Sequence, residues 1–293
     1  MREIAIEASA RSDLASALAT RAATGIALVV AILAALFLLP ATAFGVVVLL
    51  IVAGAGHEWA KLIGLARVAR MIFVAVMLVT GAALLAWSSE RGFHPVVLVA
   101  CGIATVFWIA IGVPSVLRNW QPASRPARAV FAFVALEGAF VAIVALQARS
   151  PWLALAAMAI VWIADTAAYF AGRRFGRHKL APQISPGKTW EGVYGAVLAV
   201  VVYALVLLPL ASSASAALAI DAAFVTLWVV FAVALTALSI VGDLHESLLK
   251  RRAGVKDSGA MLPGHGGILD RTDALLAAMP PVALAATAFL GAS

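Results

Sequence analysis

The chain has 293 residues, 64% of them apolar and only 12% charged, and its 21 Lys and Arg outweigh 14 Asp and Glu to give a formal charge of +7. Soluble domains average roughly 45–50% apolar and about 25% charged residues, so a water-soluble globular protein is excluded and the class is an all-α, polytopic transmembrane helical bundle. The basic excess fits cytoplasmic loops and not a nucleic-acid surface, and the lone Cys101, in an apolar run, allows neither an internal disulfide nor a cysteine metal cluster.

Residues 1–20 read as an amphipathic lead-in. Glu3, Glu7 and Asp13 precede the first apolar run, which a signal peptide would not tolerate well. A membrane helix needs about 20 apolar residues. Nine segments meet that pattern, near 22–39, 41–56, 71–88, 95–114, 129–147, 151–172, 192–211, 222–242 and 274–291. Only Pro40 separates the first two, predicting a tight hairpin or a kinked pair. At the inner edge of the second, Glu58 follows His57; it is read as a cap, a topology anchor or a cavity group. Glu137 lies inside the fifth segment. Pro280-Pro281 predicts a kink or break in the ninth.

Nine spans put the N-terminus and the loops near 57–70, 115–128, 173–191 and 243–273 on one side. That side holds 19 of the 21 Lys and Arg; Arg91 and Arg149 fall on the other. The positive-inside rule then predicts a cytoplasmic N-terminus and an external C-terminus, and the single cysteine and the missing cleavage signal fit a cell (inner) membrane location. Two regions result: residues 1–150 as an N-terminal membrane domain of spans one to five, and 151–293 as a C-terminal region with two polar cytoplasmic loops.

The first of these loops runs "DTAAYFAGRRFGRHKLAPQISPGKTWEG", Asp165 to Gly192. Asp165 lies within or at the end of an apolar run, and an ionisable group at such depth marks a functional site by default. Tyr169 and Gly172 follow on the same helical face. Arg173, Arg174, Arg177, Lys179 and Lys188 add positive charge, which serves either topology or phosphate binding. "GKT" at Gly187–Thr189 is not a P-loop, because Pro182 stands where the pattern needs glycine.

The second loop begins "GDLHESLLKRR" at Gly242. On a continuing helix, Asp243, Glu246, Ser247 and Lys250 share one face. A carboxylate at the membrane edge with a hydroxyl and an ammonium below it suits a metal and phosphate site; a solvated helix end explains the same residues equally well. "PGHGG" at Pro263–Gly267 can aim backbone N–H groups at an anion or be a plain turn. Asp270 and Asp273 in "DRTD" can converge on one point or simply cap and charge the opening of the last helix. His245 and His265 lack partners at zinc-ligand spacing, and His57, His94 and His178 read as interfacial or loop residues. Carboxylates favour a hard cation such as Mg²⁺, bound together with substrate phosphates. The residue chemistry therefore points to a metal-assisted phosphoryl or nucleotidyl transfer to a lipid.

Three stretches carry a resemblance. These are Ser247-x-Leu249-Lys250-Arg251, then Lys256-Asp257-x-Gly259, then Leu262-Pro263-x-His265-Gly266-Gly267-Ile268-x-Asp270-Arg271-Thr272-Asp273. Together they resemble the signature of the phosphatidate cytidylyltransferases, the CDP-diacylglycerol synthases, without departure. Asp165, Ala168-Tyr169, Gly172-Arg173, Phe175-Gly176-Arg177 and Ile184-Ser185-Pro186-x-Lys188-Thr189-x-Glu191-Gly192 are similar to that family too, as is Glu58-Trp59 more loosely. The resemblance implies transfer of CMP from CTP to phosphatidic acid, giving CDP-diacylglycerol and pyrophosphate in phospholipid biosynthesis. It implies that Asp243 and Asp270 hold Mg²⁺, with Asp165, Asp257 and Asp273 orienting cations or metal-bound water. It gives Lys250, Arg251, Lys256 and Arg271 the triphosphate or lipid phosphate. Tyr169, Ser185, Lys188, Thr189, Glu191 and Ser247 line the nucleotide or lipid-phosphate pocket, and His265, Gly266 and Gly267 cradle phosphate. Members are often homodimers. A CTP-dependent lipid-alcohol kinase, and a transporter coupled through Asp165 and Glu137, remain as other readings.

Overall fold

The computed structural model describes residues 24–91, 94–214, 220–262 and 266–290; the expected lead-in at 1–20 lies outside them. A helix occupies every one of the nine apolar segments. In chain order they are α1 (Thr24–Leu38), α2 (Ala41–Leu62), α3 (Arg67–Arg91), α4 (His94–Phe107), α6 (Arg125–Arg149), α7 (Pro151–Phe175), α8 (Trp190–Ala214), α9 (Ala222–Ala253) and α10 (Leu269–Leu290). α4 continues through a π-helical turn, Trp108–Gly112, into α5 (Val113–Leu117). Pro114 explains that turn, since it has no N–H to donate and its ring crowds the carbonyl four residues back.

Among the described residues, seven helices are long and apolar enough to cross a membrane: α2, α3, the α4–α5 run, α6, α7, α8 and α9. α1 is shorter, and α10 opens with Asp270, Arg271 and Asp273. The nine expected spans thus correspond to nine helices in position but to seven by length and apolarity. The chain is a multi-helix membrane protein.

α6 is the central helix and packs against α2, α3, α4, α7 and α10. Its Gln147 amide donates to the carbonyls of Leu36 and Leu39, both at 3.2 Å, satisfying acceptors that the end of α1 leaves open. Pro40, at φ −64° and ψ 154°, separates α1 from α2. α10 is buried from Ala274 to Ala283 among α4, α6 and α9. It stays helical through Pro280-Pro281, so of the expected kink or break, the break does not occur. Close packing on every side holds the segment where hydrogen bonds are lost.

One apolar core runs from Leu36 to Ala283 and includes residues from both sides of Ser150, the shared cap of α6 and α7. Two smaller clusters position the polar loops. Ala164, Ala196, Val200, Ala204 and Ala232 join α7, α8 and α9. Ile184, Leu244 and Leu248 dock the first polar loop onto α9. Within that loop the chain folds as an antiparallel hairpin of β1 (Lys179–Ala181) and β2 (Ser185–Thr189). Leu180 and Ala181 of β1 and Ile184 of the turn pack with Leu244 and Leu248 of α9, and Lys188 of β2 reaches Asp243.

Candidate active site

Hydropathy ends α9 near residue 242, yet the helix runs eleven residues further, to Ala253. Gly254 stops it at φ +69°, with Gly254 N–H donating to Arg251 O at 3.2 Å and Val255 N–H to Lys250 O at 3.0 Å. This left-handed cap sends the chain back beneath the helix end. α10 then returns alongside α9. The two approach closely at Gly242, where a Cβ would lie 2.6 Å from Asp273 O. Asp273 thereby comes near Asp243, and Asp270 reaches Lys250.

Two polar clusters result. In the first, Lys188 Nζ lies 2.5 Å from Asp243 Oδ2, with both side chains about a quarter exposed. Ser247 Oγ, one turn on, is 3.4 Å from Asp243 Oδ1. Asp165 and Asp273 are close enough for their charges to act on Asp243 and Lys188. Asp165, Lys188 and Asp243 line a cavity of about 640 Å³. Asp165, Tyr169, Arg173, Ser185, Lys188, Thr189 and Asp243 give it polar walls, and Ala164, Ala168, Val193 and Ile240 give it apolar ones. A cavity polar at one wall and apolar at another suits an amphipathic ligand.

In the second cluster, Lys250 Nζ lies between two carboxylates, 2.5 Å from Glu246 Oε2 and 2.6 Å from Asp270 Oδ1. Asp270 Oδ2 accepts from Ser258 N–H at 3.0 Å, Ser258 Oγ at 3.0 Å and Gly267 N–H at 2.9 Å. Both oxygens of Asp270 are therefore engaged, Oδ1 by Lys250 and Oδ2 by Ser258 and Gly267.

The remaining candidates are placed as follows. Tyr169 OH accepts from Arg173 at 2.8 Å at the cavity wall. Thr189 Oγ1 accepts from Gly192 N–H at 3.2 Å, capping the start of α8. Glu191 does not line the cavity; it accepts from His178 Nδ1 at 2.7 Å and from His178 N–H at 3.2 Å, fixing the entry to β1. Arg251 Nε donates to Ile184 O at 3.2 Å and ties α9 to the hairpin. Lys256, Asp257 and Arg271 are exposed. Gly266 takes φ +82° beside Asp270. Asp273 Oδ1 accepts from Ala274 N–H at 2.8 Å. His265 lies outside the described residues.

His245 is a core residue. It is buried, 2.7 Å from Ser115 Oγ through Nδ1, and ringed by Trp59, Trp108 and Phe131. Glu137 meets Thr80 Oγ1 at 3.1 Å between α6 and α3 and does not line the cavity, so the two acids of the transporter reading serve separate places. Among the described residues no three His, Cys, Asp or Glu side chains form a ready metal cage. The donor set is instead a pair of aspartates with lysine partners. It offers only oxygen, which fits a hard cation completed by substrate phosphates.

Glu246 is expected only as a face-mate of Asp243 and Glu58 only as a cap, topology anchor or cavity group, and Ser258 is not expected at all. Glu246 has a signal in its i+3 spacing from Asp243. Ser258 has none, since serine in a glycine-rich turn is ordinary. Glu58 has its position, an acid at the polar end of an apolar span.

The chain matches the model of the cytidylyltransferase family over residues 19–289. A phosphatidate cytidylyltransferase of Pseudomonas aeruginosa is 37% identical over 274 residues, covering 89% of this chain and 93% of that protein. One of Haemophilus influenzae is 45% identical over 129 residues, 44% of this chain and 43% of that one. One of Brucella suis is 46% identical over 122 residues, 41% of each. The alignments to the last two thus span less than half of either relative.

Proposed function

As the chain belongs to the cytidylyltransferase family, we propose that it transfers CMP from CTP to phosphatidic acid, giving CDP-diacylglycerol and pyrophosphate. The observation that carries this reading is the lysine-bound Asp243 at a cavity with both polar and apolar walls, with a second lysine-bound aspartate, Asp270, on the neighbouring helix. A soluble polyphosphate and a lipid phosphate both need what such a place offers: fixed cations, and apolar surface continuous with the bilayer.

In the reaction, an oxygen of the lipid phosphate attacks the α-phosphorus of CTP. The bond from that phosphorus to the oxygen bridging it to the β-phosphorus breaks, and pyrophosphate leaves. The attacking monoester is largely ionised near neutral pH, its second pKa being about 6, so no strong general base is required. The chain's part is positioning and charge neutralisation. Asp243 and Asp270 are the residues that would hold Mg²⁺. When bound, that ion supplies neutralisation of the CTP phosphates. Asp165 and Asp273 hold Lys188 and neighbouring cations in orientation. Lys188, Ser185 and Thr189 serve the nucleotide or lipid phosphate at the cavity. Lys250 and Arg251, with Lys256, Arg271 and the glycines at 266–267, serve the other phosphate.

The nine helices all span the bilayer in this reading, with the N-terminus and both polar loops cytoplasmic. The 19-to-2 distribution of Lys and Arg supports that orientation. Membrane vesicles carrying the protein test the two statements together. Inverted vesicles should release pyrophosphate from added CTP only with phosphatidic acid and Mg²⁺, and EDTA should stop it. Right-side-out vesicles should release none. Equal release from both would overturn the orientation, and no release from either, or from detergent-solubilised protein, would overturn cytidylyl transfer.

A further inference from the structure

Glu58 lies at the far end of the chain from the second polar loop, yet it is only 2% exposed, and its side chain accepts hydrogen bonds from that loop and from the helix it feeds. Its Oε2 accepts from Ser258 Oγ and from Leu269 N–H, both at 2.9 Å, and its Oε1 accepts from Ile268 N–H at 3.2 Å. The amides of Ile268 and Leu269 open α10 and have no intrahelical acceptor of their own. A carboxylate from α2 therefore caps α10 from another helix.

The cap connects to the reaction centre through one atom. Ser258 Oγ is 2.9 Å from Glu58 Oε2 and 3.0 Å from Asp270 Oδ2. A hydroxyl has one proton to donate, so this one serves the two carboxylates in turn and holds them at a fixed separation. The packing leaves no slack around this arrangement. A Cβ on Gly267 would overlap Ser258 Oγ and lie 2.5 Å from Glu58 Oε2, and one on Gly259 would overlap Glu58 itself. Asp270 Oδ2 takes its other bonds from Ser258 N–H and Gly267 N–H, which belong to the segment that Glu58 fastens at both ends.

We propose that Glu58 is a positioning residue for Asp270, acting through Ser258 and the amides that open α10. The inference rests on the reading of Asp270 as a group at the reaction centre. Glu58 touches neither substrate nor reacting atoms; it fixes where Asp270 points. Glu58→Gln keeps the shape but replaces an acceptor oxygen with an NH₂ donor. Three donors then face one oxygen, and one of them is left pointing at another donor. Small misplacements near a reacting centre cost up to about 100-fold in rate.

The test measures steady-state kinetics and peptide-resolved hydrogen exchange on the full-length protein in detergent. For Glu58→Gln, kcat should fall on the order of 10–100-fold while KM for CTP stays within about threefold. Faster deuterium uptake should be confined to peptides covering 257–270. Ser258→Ala removes only the shared hydroxyl and should show the same pattern, weaker, and it carries the test if Glu58→Gln does not fold. Combined, the two substitutions should lose no more than Glu58→Gln alone. A folded Glu58→Gln with kcat within about twofold of the parent, or with unchanged uptake in 257–270, would overturn the proposal. So would a loss that appears only in KM, or faster uptake spread over the whole bundle. If the parent protein makes no nucleotide-linked lipid, the reaction assignment fails, while the exchange data still decide whether Glu58 holds the Asp270 loop.

Discussion

Changing Asp243 or Asp270 to asparagine is expected to lower turnover on the order of 1,000-fold or more, with the protein still folded in the membrane. Each substitution keeps volume and removes charge where a cation and two phosphates are proposed to meet. The two differ in their structural cost. Asp243 is about a quarter exposed and binds Lys188 with Ser247 nearby, so its loss should leave stability almost unchanged. Asp270 accepts from Lys250, from two backbone amides and from the Ser258 hydroxyl. An asparagine there turns an NH₂ toward donors, and about 1–3 kcal/mol of stability should go with the activity. Turnover with saturating CTP, phosphatidic acid and Mg²⁺, read beside a thermal melt in detergent, separates the effects. Near-normal turnover of either variant would remove that aspartate from the reaction.

Lys250→Met is expected to give the largest loss of stability among the site residues. The ammonium is 16% exposed and lies between Glu246, 4% exposed, and Asp270, 10% exposed. Without it, the buried Glu246 carboxylate faces that of Asp270 with no cation between them, and the remaining donors all serve Asp270 Oδ2. Breaking a buried ion pair from one side costs about 3–5 kcal/mol, so the melting temperature should drop by several degrees. Adding Glu246→Gln removes the charge that Lys250 left stranded and should restore much of that stability. It should not restore turnover, because Lys250 also serves a phosphate in the proposed reaction. A double variant as active as the parent would reduce Lys250 to a structural residue. A single variant as stable as the parent would mean that the triad is not held as tightly as its short distances imply.

The apolar runs located all nine helices, because hydrocarbon-length segments are what hydropathy measures. They misplaced the ends where the proposed site residues lie. α2 runs six residues past its expected end, through Glu58, α9 eleven past residue 242, and α10 begins at Leu269 and not at 274. Those turns are polar and lie where helices leave the apolar layer, so hydropathy cannot see them. Helical spacing could, and it put Asp243, Glu246, Ser247 and Lys250 on one face correctly. The hairpin stayed hidden because Pro182, Pro186 and Gly187 look like loop, and only docking of Leu180 and Ile184 onto α9 makes them strand neighbours. The pairs Lys188 with Asp243, and Glu58 with Ser258, join separate elements. The second spans 200 residues of sequence, and no local pattern reports such a contact.

The central claim, that this site moves a cytidylyl group onto a lipid phosphate, is tested most directly with CTP labelled differently on its α- and γ-phosphates. Purified protein with phosphatidic acid and Mg²⁺ should send the α-label into the lipid phase and the γ-label into pyrophosphate, and EDTA should abolish both. The γ-label appearing in lipid, with the α-label left in CDP, would contradict the account and make the protein a CTP-dependent lipid kinase.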